Sequence, residues 1–300
     1  MTNPAPEILQ LGYFRLGVRA LDWWQNFAAL VGFGQVSDAP AGELQLRTDA
    51  ERDYRIAVHA APVTGLSAVG WEVAGPRELA TVGERLRVLG SGVRDASFEE
   101  KTARKVEDMI VAVDPDGLCN EIYWGPNTAL RIPFQSPTGT SFESGACGNG
   151  HVTVNVADSQ STLDYYIQGL GLRLSDAAWM EGHSRVYFLR CNARHHSFAF
   201  AQMAQRPPGT VHVMADIANL DSLGEVRDRL LNAGITLSRD LGSHPLDGVV
   251  SFYVATPDGF EFELATGTRF IAEDTWASDR FLRTGRPWGH RKPLPSKDRK

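Results

Sequence analysis

The sequence lacks the features of several large protein classes. Cysteine occurs three times in 300 residues, at Cys119, Cys147 and Cys191, which is neither a disulfide framework nor a zinc knuckle. No uninterrupted apolar run approaches the roughly 18 residues that a membrane-spanning helix needs. The first ten residues contain no basic segment followed by an apolar one, so we expect no secretory signal. We therefore expect a cytoplasmic protein that does not bind membranes.

The chain also lacks an excess of positive charge. Its formal net charge is −6, which argues against nucleic acid as a partner because such binders usually carry a basic surface. Hydrophobic residues make up 43% and charged residues 22%, which excludes a disordered chain. Basic side chains are concentrated at the end, where residues 280–300 contain eight Lys or Arg and one acidic residue. Such a tail is typical of a solvated or subunit-packing segment.

Four segments of the chain repeat one pattern of a strand-like run, an amphipathic helix ending at a glycine, and about three more strand-like runs. The repeats begin near residues 12, 70, 150 and 211. In the first, Trp24, Phe27, Ala28 and Val31 recur at the spacing of one buried helix face. One such unit cannot cover its own sheet, so the units must pair. The sequence predicts an α+β fold of four βαβββ modules, paired into two domains with mixed sheets curled around a funnel-like site.

The spacing between the second and third repeats is about 20 residues longer than the other two spacings. The extra residues lie near residues 127–146 and are rich in Ser, Thr, Pro and Gly. This composition is typical of a linker. The sequence therefore predicts a first domain over residues 1–135, a second over residues 145–275, and a basic tail over residues 276–300.

Superposing the repeats places three metal-binding residue types in one half of the chain. His151, His212 and Glu263 fall opposite Tyr13, Trp71 and Glu121. A lone histidine in a strand is usually structural, but two imidazoles and a carboxylate at matching positions indicate a 2-His-1-carboxylate site. That donor set leaves positions open for substrate and O₂, which favours Fe(II) over Mn(II). The second half is thus predicted to hold the metal.

The stretch GSHPLDGVVSFYVATPDGFEFE carries a further pattern. It contains a histidine, seven residues, an apolar residue and Tyr, then Thr-Pro-x-Gly and a closing Glu, at His244, Phe252, Tyr253, Thr256, Pro257, Gly259 and Glu263. Supporting segments are GNGHVTVNVAD, FLRCNARHHSFAF, TVHVMADI and WGH. Together they resemble the two-domain extradiol ring-cleaving catechol dioxygenases of the vicinal-oxygen-chelate superfamily, over nearly the whole chain.

The resemblance implies a role for each of these side chains. Three residues would bind Fe(II): His151, His212 and Glu263. His196 would be an acid–base residue beside the O₂ site, since imidazole titrates near neutral pH. His244 and Tyr253 would line the catechol side and act in catalysis, and Asp247 would orient His244. The implied reaction inserts both atoms of O₂ into a catechol and cuts the ring beside its two hydroxyls.

Two positions bear on the substrate. Leu246 stands where the family usually has Asn, which makes that wall of the pocket more apolar. Phe188, by the family pattern, would face the substrate ring. These side chains favour a biphenyl-like or bicyclic diol from aromatic-compound degradation, ahead of an alkylcatechol.

Two other functions share these modules. A glyoxalase-like enzyme would use a similar metal site with a fourth protein ligand, whereas a ligand-sequestering relative would keep the modules without a metal. By analogy with the family we also expect a homo-oligomer, with a catecholic small molecule and O₂ as partners.

Overall fold

The computed structural model describes residues 7–127, 133–179, 185–244, 246–273, 275–276 and 288–292. Along these residues a strand is followed four times by a helix and three strands, as the repeats predict. The first module contains β1 (Ile8–Val18), α1 (Leu21–Val31), β2 (Gly34–Gln35), β3 (Glu43–Arg47) and β4 (Ile56–Ala60). The second contains β5 (Gly65–Val73), α2 (Pro76–Val88), β6 (Val93–Asp95), α3 (Phe98–Arg104), β7 (Val106–Val113) and β8 (Cys119–Pro126).

The second half of the chain repeats this order. The third module contains β9 (His151–Asn155), α4 (Ser159–Leu163), a π-helical turn (Asp164–Gly169), β10 (Arg173–Trp179), β11 (Arg185–Arg190) and β12 (Phe198–Ala201). The fourth contains β13 (Gly209–Asp216), α5 (Leu220–Asn232), β14 (Leu237–Ser243), β15 (Val250–Ala255) and β16 (Glu261–Thr266). A short strand, β17 (Trp288–Gly289), then pairs with β14.

The strands form two mixed sheets, one from each half of the chain. The first has the order β2-β3-β4-β1-β5-β8-β7-β6, and the second β10-β11-β12-β9-β13-β16-β15-β14-β17. In each module the first and last strands are parallel neighbours, and the two modules of a sheet meet at a central antiparallel pair. The predicted fold class is confirmed. The domain boundaries at residues 135 and 145 stay a prediction, and most of the predicted basic tail lies outside the described residues.

The three long helices, α1, α2 and α5, form because each buries one apolar face in the core. In α1 the four apolar residues of the predicted face are buried, and the helix ends at Gly32, whose φ of +94° suits glycine. Trp24 and Phe27 contact Phe262 of β16, so a helix of the first half packs on the sheet of the second. The Trp24 indole also donates a hydrogen bond to Asp258 at 2.8 Å. The two halves therefore share one apolar core. No helix in the described part of the chain is long and apolar enough to span a membrane.

The register of the central strands defines which residues of the two sheets correspond. Met214 is paired with both His151 and Glu263, and Gly70 is paired with both Tyr13 and Glu121. Tyr13 therefore corresponds to His151, and Glu121 corresponds to Glu263, as the superposed repeats predict.

The register also corrects the prediction for Trp71. Gly70 and Met214 occupy corresponding positions in the two sheets. Ala68 lies two residues before Gly70, and His212 lies two residues before Met214, so Ala68 corresponds to His212. Trp71 lies in the helix-facing core, where its Nε1 donates to Asn120 at 2.8 Å. The superposition aligned the starting points of the strands, Gly70-Trp71 with Val211-His212, and these starting points are three residues away from the register that the strands adopt.

Candidate metal centre and active site

Three adjacent strands bring the predicted metal ligands together. His151 begins β9, His212 lies on β13, and Glu263 lies on β16, and these strands are neighbours in the second sheet. The two histidine Nε2 atoms are 3.0 Å apart, and each lies 3.3 Å from Oε2 of Glu263. Side chains alternate along strands, so these registers turn all three toward one face.

The spacing of these atoms fits a metal ion. Three donors at about 2.1 Å from one ion are about 3.0 Å apart at right angles and about 3.4 Å apart at tetrahedral angles, and the three distances lie within this range. An arrangement with two donors opposite each other would make one distance much longer. Nδ1 of His212 and Oε1 of Glu263 are buried and have no hydrogen-bond partner among the described residues. The three side chains therefore suit three adjacent positions around one ion.

The electrostatics of the cluster keep His212 and Glu263 in the forms that bind a cation. Burial lowers the pKa of His212 to about 3, so its imidazole is neutral at pH 7. Burial opposes ionisation of Glu263, but the adjacent His151 and His212 hold its pKa well below the ordinary value. A neutral imidazole and an ionised carboxylate are the ligating states of these two groups.

His196 lies beside this cluster, in the turn before β12. Its ring centroid is 4.1 Å from that of His151, and the Phe188 ring packs on it edge-on at 4.9 Å. Burial, followed by the neighbouring His151, lowers the pKa of His196. His195 precedes His196 in this turn, and β12 begins only at Phe198.

On the other side of the cluster, Tyr253 and His244 form a pair. The Tyr253 hydroxyl lies 2.7 Å from Nε2 of His244, and that nitrogen is 3.8 Å from Oε1 of Glu263. Burial and the charge of Glu263 raise the pKa of Tyr253, so its hydroxyl stays protonated and donates to His244. The His244 side chain is 35% exposed, so this side of the site is open to solvent.

Comparison with known proteins gives the family of this chain. Residues 148–264 match the Glyoxalase/Bleomycin resistance protein/Dioxygenase superfamily. The chain is 35% identical over 299 residues to 3-methylcatechol 2,3-dioxygenase of Pseudomonas putida, with 97% of this chain and 100% of the relative covered. It is 30% identical over 301 residues to an iron-dependent extradiol dioxygenase of Rhodococcus jostii, covering 95% of this chain and 97% of the relative. The chain belongs to the extradiol dioxygenases.

A solved structure agrees with this assignment. The 2,2',3-trihydroxybiphenyl 1,2-dioxygenase of Sphingomonas wittichii superposes with a TM-score of 0.82 at 27% identity, over 95% of this chain and all of that one. The predicted family and the predicted class of enzyme, a ring-cleaving oxidoreductase, are therefore confirmed. The individual roles of the site residues in this dioxygenase stay predictions.

Two predicted substrate residues of the dioxygenase lie in the loop between β14 and β15. Leu246 is buried, and the loop is closed by a hydrogen bond from the His244 amide to the Val249 carbonyl at 3.0 Å. The Asp247 side chain accepts a hydrogen bond from the Val249 amide at 3.4 Å, whereas its backbone carbonyl accepts one from Arg269 at 2.8 Å. Asp247 thus shapes the loop that carries His244. Among the described residues, no hydrogen bond joins the Asp247 side chain to the His244 side chain.

Three residues of the dioxygenase site had no predicted role. His290 follows β17, and its ring lies 4.4 Å from that of His244 and 5.4 Å from that of Tyr253. Asp176 and His195 form a buried pair behind His196. The WGH motif contained His290, but the sequence offered no signal that this segment would pair with β14.

Proposed function

We propose that this dioxygenase holds Fe(II) with His151, His212 and Glu263 and cleaves a catechol beside its two hydroxyls, using both atoms of O₂. The observation that carries the proposal is the set of three ligand atoms at 3.0–3.3 Å from each other. Fe(II) bound there supplies a Lewis acid for both diol oxygens and open positions for O₂.

The donor set favours this chemistry over the alternatives. Among the described residues, His151, His212 and Glu263 are the group of His, Cys, Asp and Glu side chains close enough to share an ion. A glyoxalase-like site would add a fourth protein ligand, and a ligand-sequestering protein would need no such cluster. Imidazole and carboxylate also suit Mn(II), but the name of the iron-dependent relative supports iron.

Side chains on both sides of the three metal ligands accept protons from the substrate or donate hydrogen bonds to it. A catechol must lose protons to bind through both oxygens, and the neutral imidazole of His196 is a base within reach of the site. The Tyr253 hydroxyl and His244 donate and accept hydrogen bonds on the opposite side, where they orient the diol and stabilise negative charge on its oxygens.

The substrate we propose is a catechol with an apolar substituent next to one hydroxyl, with a biphenyl-like or bicyclic diol ahead of an alkylcatechol. The buried Leu246 and the half-buried Phe188 supply apolar surface near the site. The names of two relatives, a 3-methylcatechol dioxygenase and a 2,2',3-trihydroxybiphenyl dioxygenase, specify diols substituted in this way. Assembly as a homo-oligomer and location in the cytoplasm stay predictions of the sequence.

A direct test uses the full chain loaded with Fe(II) without oxygen. The protein is mixed with 2,3-dihydroxybiphenyl, 1,2-dihydroxynaphthalene and 3-methylcatechol in air-saturated buffer, and O₂ uptake and the yellow product are followed. We expect one O₂ per diol consumed. His212→Ala should lose both iron and turnover, whereas His59→Ala on β4 of the first sheet should keep both. An iron-loaded, active His212→Ala variant would contradict the ligand assignment.

A further inference from the structure

One segment contacts the loops on both sides of the candidate metal centre. Residues 267–271, which we call the bridging segment, follow β16 directly. The Arg269 amide donates a hydrogen bond to the Asp247 carbonyl at 2.8 Å, in the loop between β14 and β15. The Arg269 carbonyl accepts one from the His195 amide at 2.9 Å, in the turn that carries His196. The backbone of a single residue thus joins the turn to the loop.

A second contact on each side brings the bridging segment close to both of them. In the turn, the Ala193 carbonyl accepts a hydrogen bond from the Ile271 amide at 2.6 Å. In the loop, Gly248 packs against Gly267, because a Cβ added to either glycine would lie 3.7 Å from the carbonyl oxygen of the other. Among the described residues, no backbone hydrogen bond joins the turn to the loop directly, so the bridging segment supplies the connection.

A buried ion pair holds the bridging segment against the sheet. The side chains of Arg194 and Asp216 are each 1% exposed, and Nη1 of Arg194 donates to Oδ2 of Asp216 at 2.5 Å. The Thr268 hydroxyl donates to the same carboxylate oxygen and accepts from the Arg194 guanidinium at 3.3 Å. Asp216 ends β13 and is paired with Ala265 of β16. The bridging segment is therefore attached to two strands that carry proposed metal ligands, through a hydrogen bond to a charged group, which is a strong kind.

We propose that the bridging segment sets the separation between the turn that carries His196 and the loop that carries His244, and so positions the two sides of the diol site relative to each other. Thr268, Arg194 and Asp216 act as positioning residues, because they hold this segment on the sheet. The inference rests on the proposed function only for the roles of the two histidines in catalysis. The connection itself depends only on the contacts above.

The first measurement is amide hydrogen exchange of the full chain, loaded with Fe(II) without oxygen and analysed by mass spectrometry of its peptides. Thr268→Val keeps the shape of the side chain and leaves Asp216 its bond from Arg194, so the fold should survive. The amides of His195 and Gly248 report on opening of the turn and of the loop. We expect both to exchange about tenfold faster in the variant, because it loses a hydrogen bond to a charged group.

Two further variants complete this measurement. Thr268→Ser restores the hydroxyl and should return both amides to the wild-type exchange rate. Thr275→Val is the matched control, since it makes the same substitution at an exposed threonine whose hydroxyl donates to the Ala272 carbonyl at 3.3 Å. It should leave both rates unchanged. Faster exchange of only one of the two amides in Thr268→Val, or of neither, would overturn the proposal, because the segment would then not hold both loops.

The second measurement detects the same connection in turnover, with rates expressed per bound iron. Thr268→Val should lower kcat/KM for 2,3-dihydroxybiphenyl about tenfold, since a small misplacement of groups that orient a substrate is costly. In a His196→Asn background, and likewise in a His244→Asn background, the same substitution should cost less than about threefold, because the position of an absent imidazole no longer matters. An equal loss in all three backgrounds would mean that Thr268 acts independently of both histidines, and it would overturn the proposal.

The inference and the proposed function fail separately. Wild-type protein that cleaves no diol would overturn the proposed function alone, because amide exchange needs no turnover. Wild-type protein that cleaves the diol, together with unchanged exchange in Thr268→Val, would overturn the inference alone.

Discussion

Arg104 binds both carboxylate oxygens of Glu121, at the position in the first sheet that corresponds to Glu263 in the second. Its Nε and Nη2 atoms lie 2.9 and 2.7 Å from the two oxygens. Tyr13, which corresponds to His151, donates its hydroxyl to the same carboxylate at 2.5 Å. A guanidinium and a phenol thus satisfy a buried carboxylate where the second sheet presents two imidazoles. This side-chain exchange explains how the first sheet keeps the fold without a metal site.

Removing Arg104 should therefore destabilise the protein without affecting its metal. Arg104→Met leaves Glu121, which is 3% exposed, without its cation, and we expect a loss of about 3 kcal/mol in the free energy of unfolding. The double variant Arg104→Met/Glu121→Gln should recover most of that loss. Chemical denaturation measures both, and iron analysis should find one ion per chain in each. A drop in iron content would show that the first sheet contributes to metal binding.

Tyr253→Phe should slow turnover and leave metal binding intact. The substitution removes only the hydroxyl that donates to His244 at 2.7 Å, and the ring keeps its place against Arg239, whose guanidinium carbon lies 4.1 Å from the ring centroid. Loss of one donor to developing negative charge lowers kcat by about 100- to 1,000-fold in comparable sites. Steady-state kinetics with O₂ uptake measures the effect. An unchanged kcat would show that Tyr253 is only a packing residue.

Gly242→Ala should impair diol binding through the C-terminal strand. An added Cβ at Gly242 would lie 2.4 Å from the backbone nitrogen of His290 and 2.5 Å from its ring, so His290 must move away from His244. We expect KM for the diol to rise several-fold with iron content unchanged. Gly224→Ala in α5 is the matched control, since its Cβ meets nothing within 4 Å and alanine favours a helix. A KM equal to wild type would mean that His290 has no part in substrate binding.

The candidate metal-binding cluster could be predicted because it depends on local features that repeat. A strand-like run at the start of each module, a Pro-Asp-Gly turn in two of the four modules, and one histidine at the start of the third module align without knowledge of the fold. The wrong alignment of Trp71 with His212 has the opposite cause, since the starting point of a strand-like run does not give the register in which the strands pair.

The rest of the site depends on contacts between distant segments. Asp176 reaches His195 only because β10 pairs with β11 at the edge of the sheet, and the side chains involved carry no motif of their own. His290 reaches His244 because two residues, Trp288 and Gly289, pair with the end of β14. A strand of two residues has no period to detect, so its position follows only from the assembled sheet.

The raised pKa of Asp247 should make the protein less stable as the pH rises. Burial, followed by the charge of Glu263, raises this pKa to about 7 in the folded chain, against about 3.9 when unfolded. Between these values the folded state keeps a proton that the unfolded state has lost. The free energy of unfolding therefore falls as the pH rises through this window, by up to about 1.4 kcal/mol per unit.

Asp247→Asn removes this titration and keeps an acceptor for the Val249 amide. We expect its stability relative to wild type to increase between about pH 4 and pH 7 and to stay constant above that, when both proteins are unfolded with denaturant in metal-free form. The two proteins have every other titrating group in common. The contributions of those groups therefore cancel when one free energy of unfolding is subtracted from the other. A difference that is independent of pH would mean that Asp247 is already ionised in the folded protein at pH 4. The loop between β14 and β15 would then hold a buried charge, and its hydrogen bond from Val249 would be the contact that stabilises it.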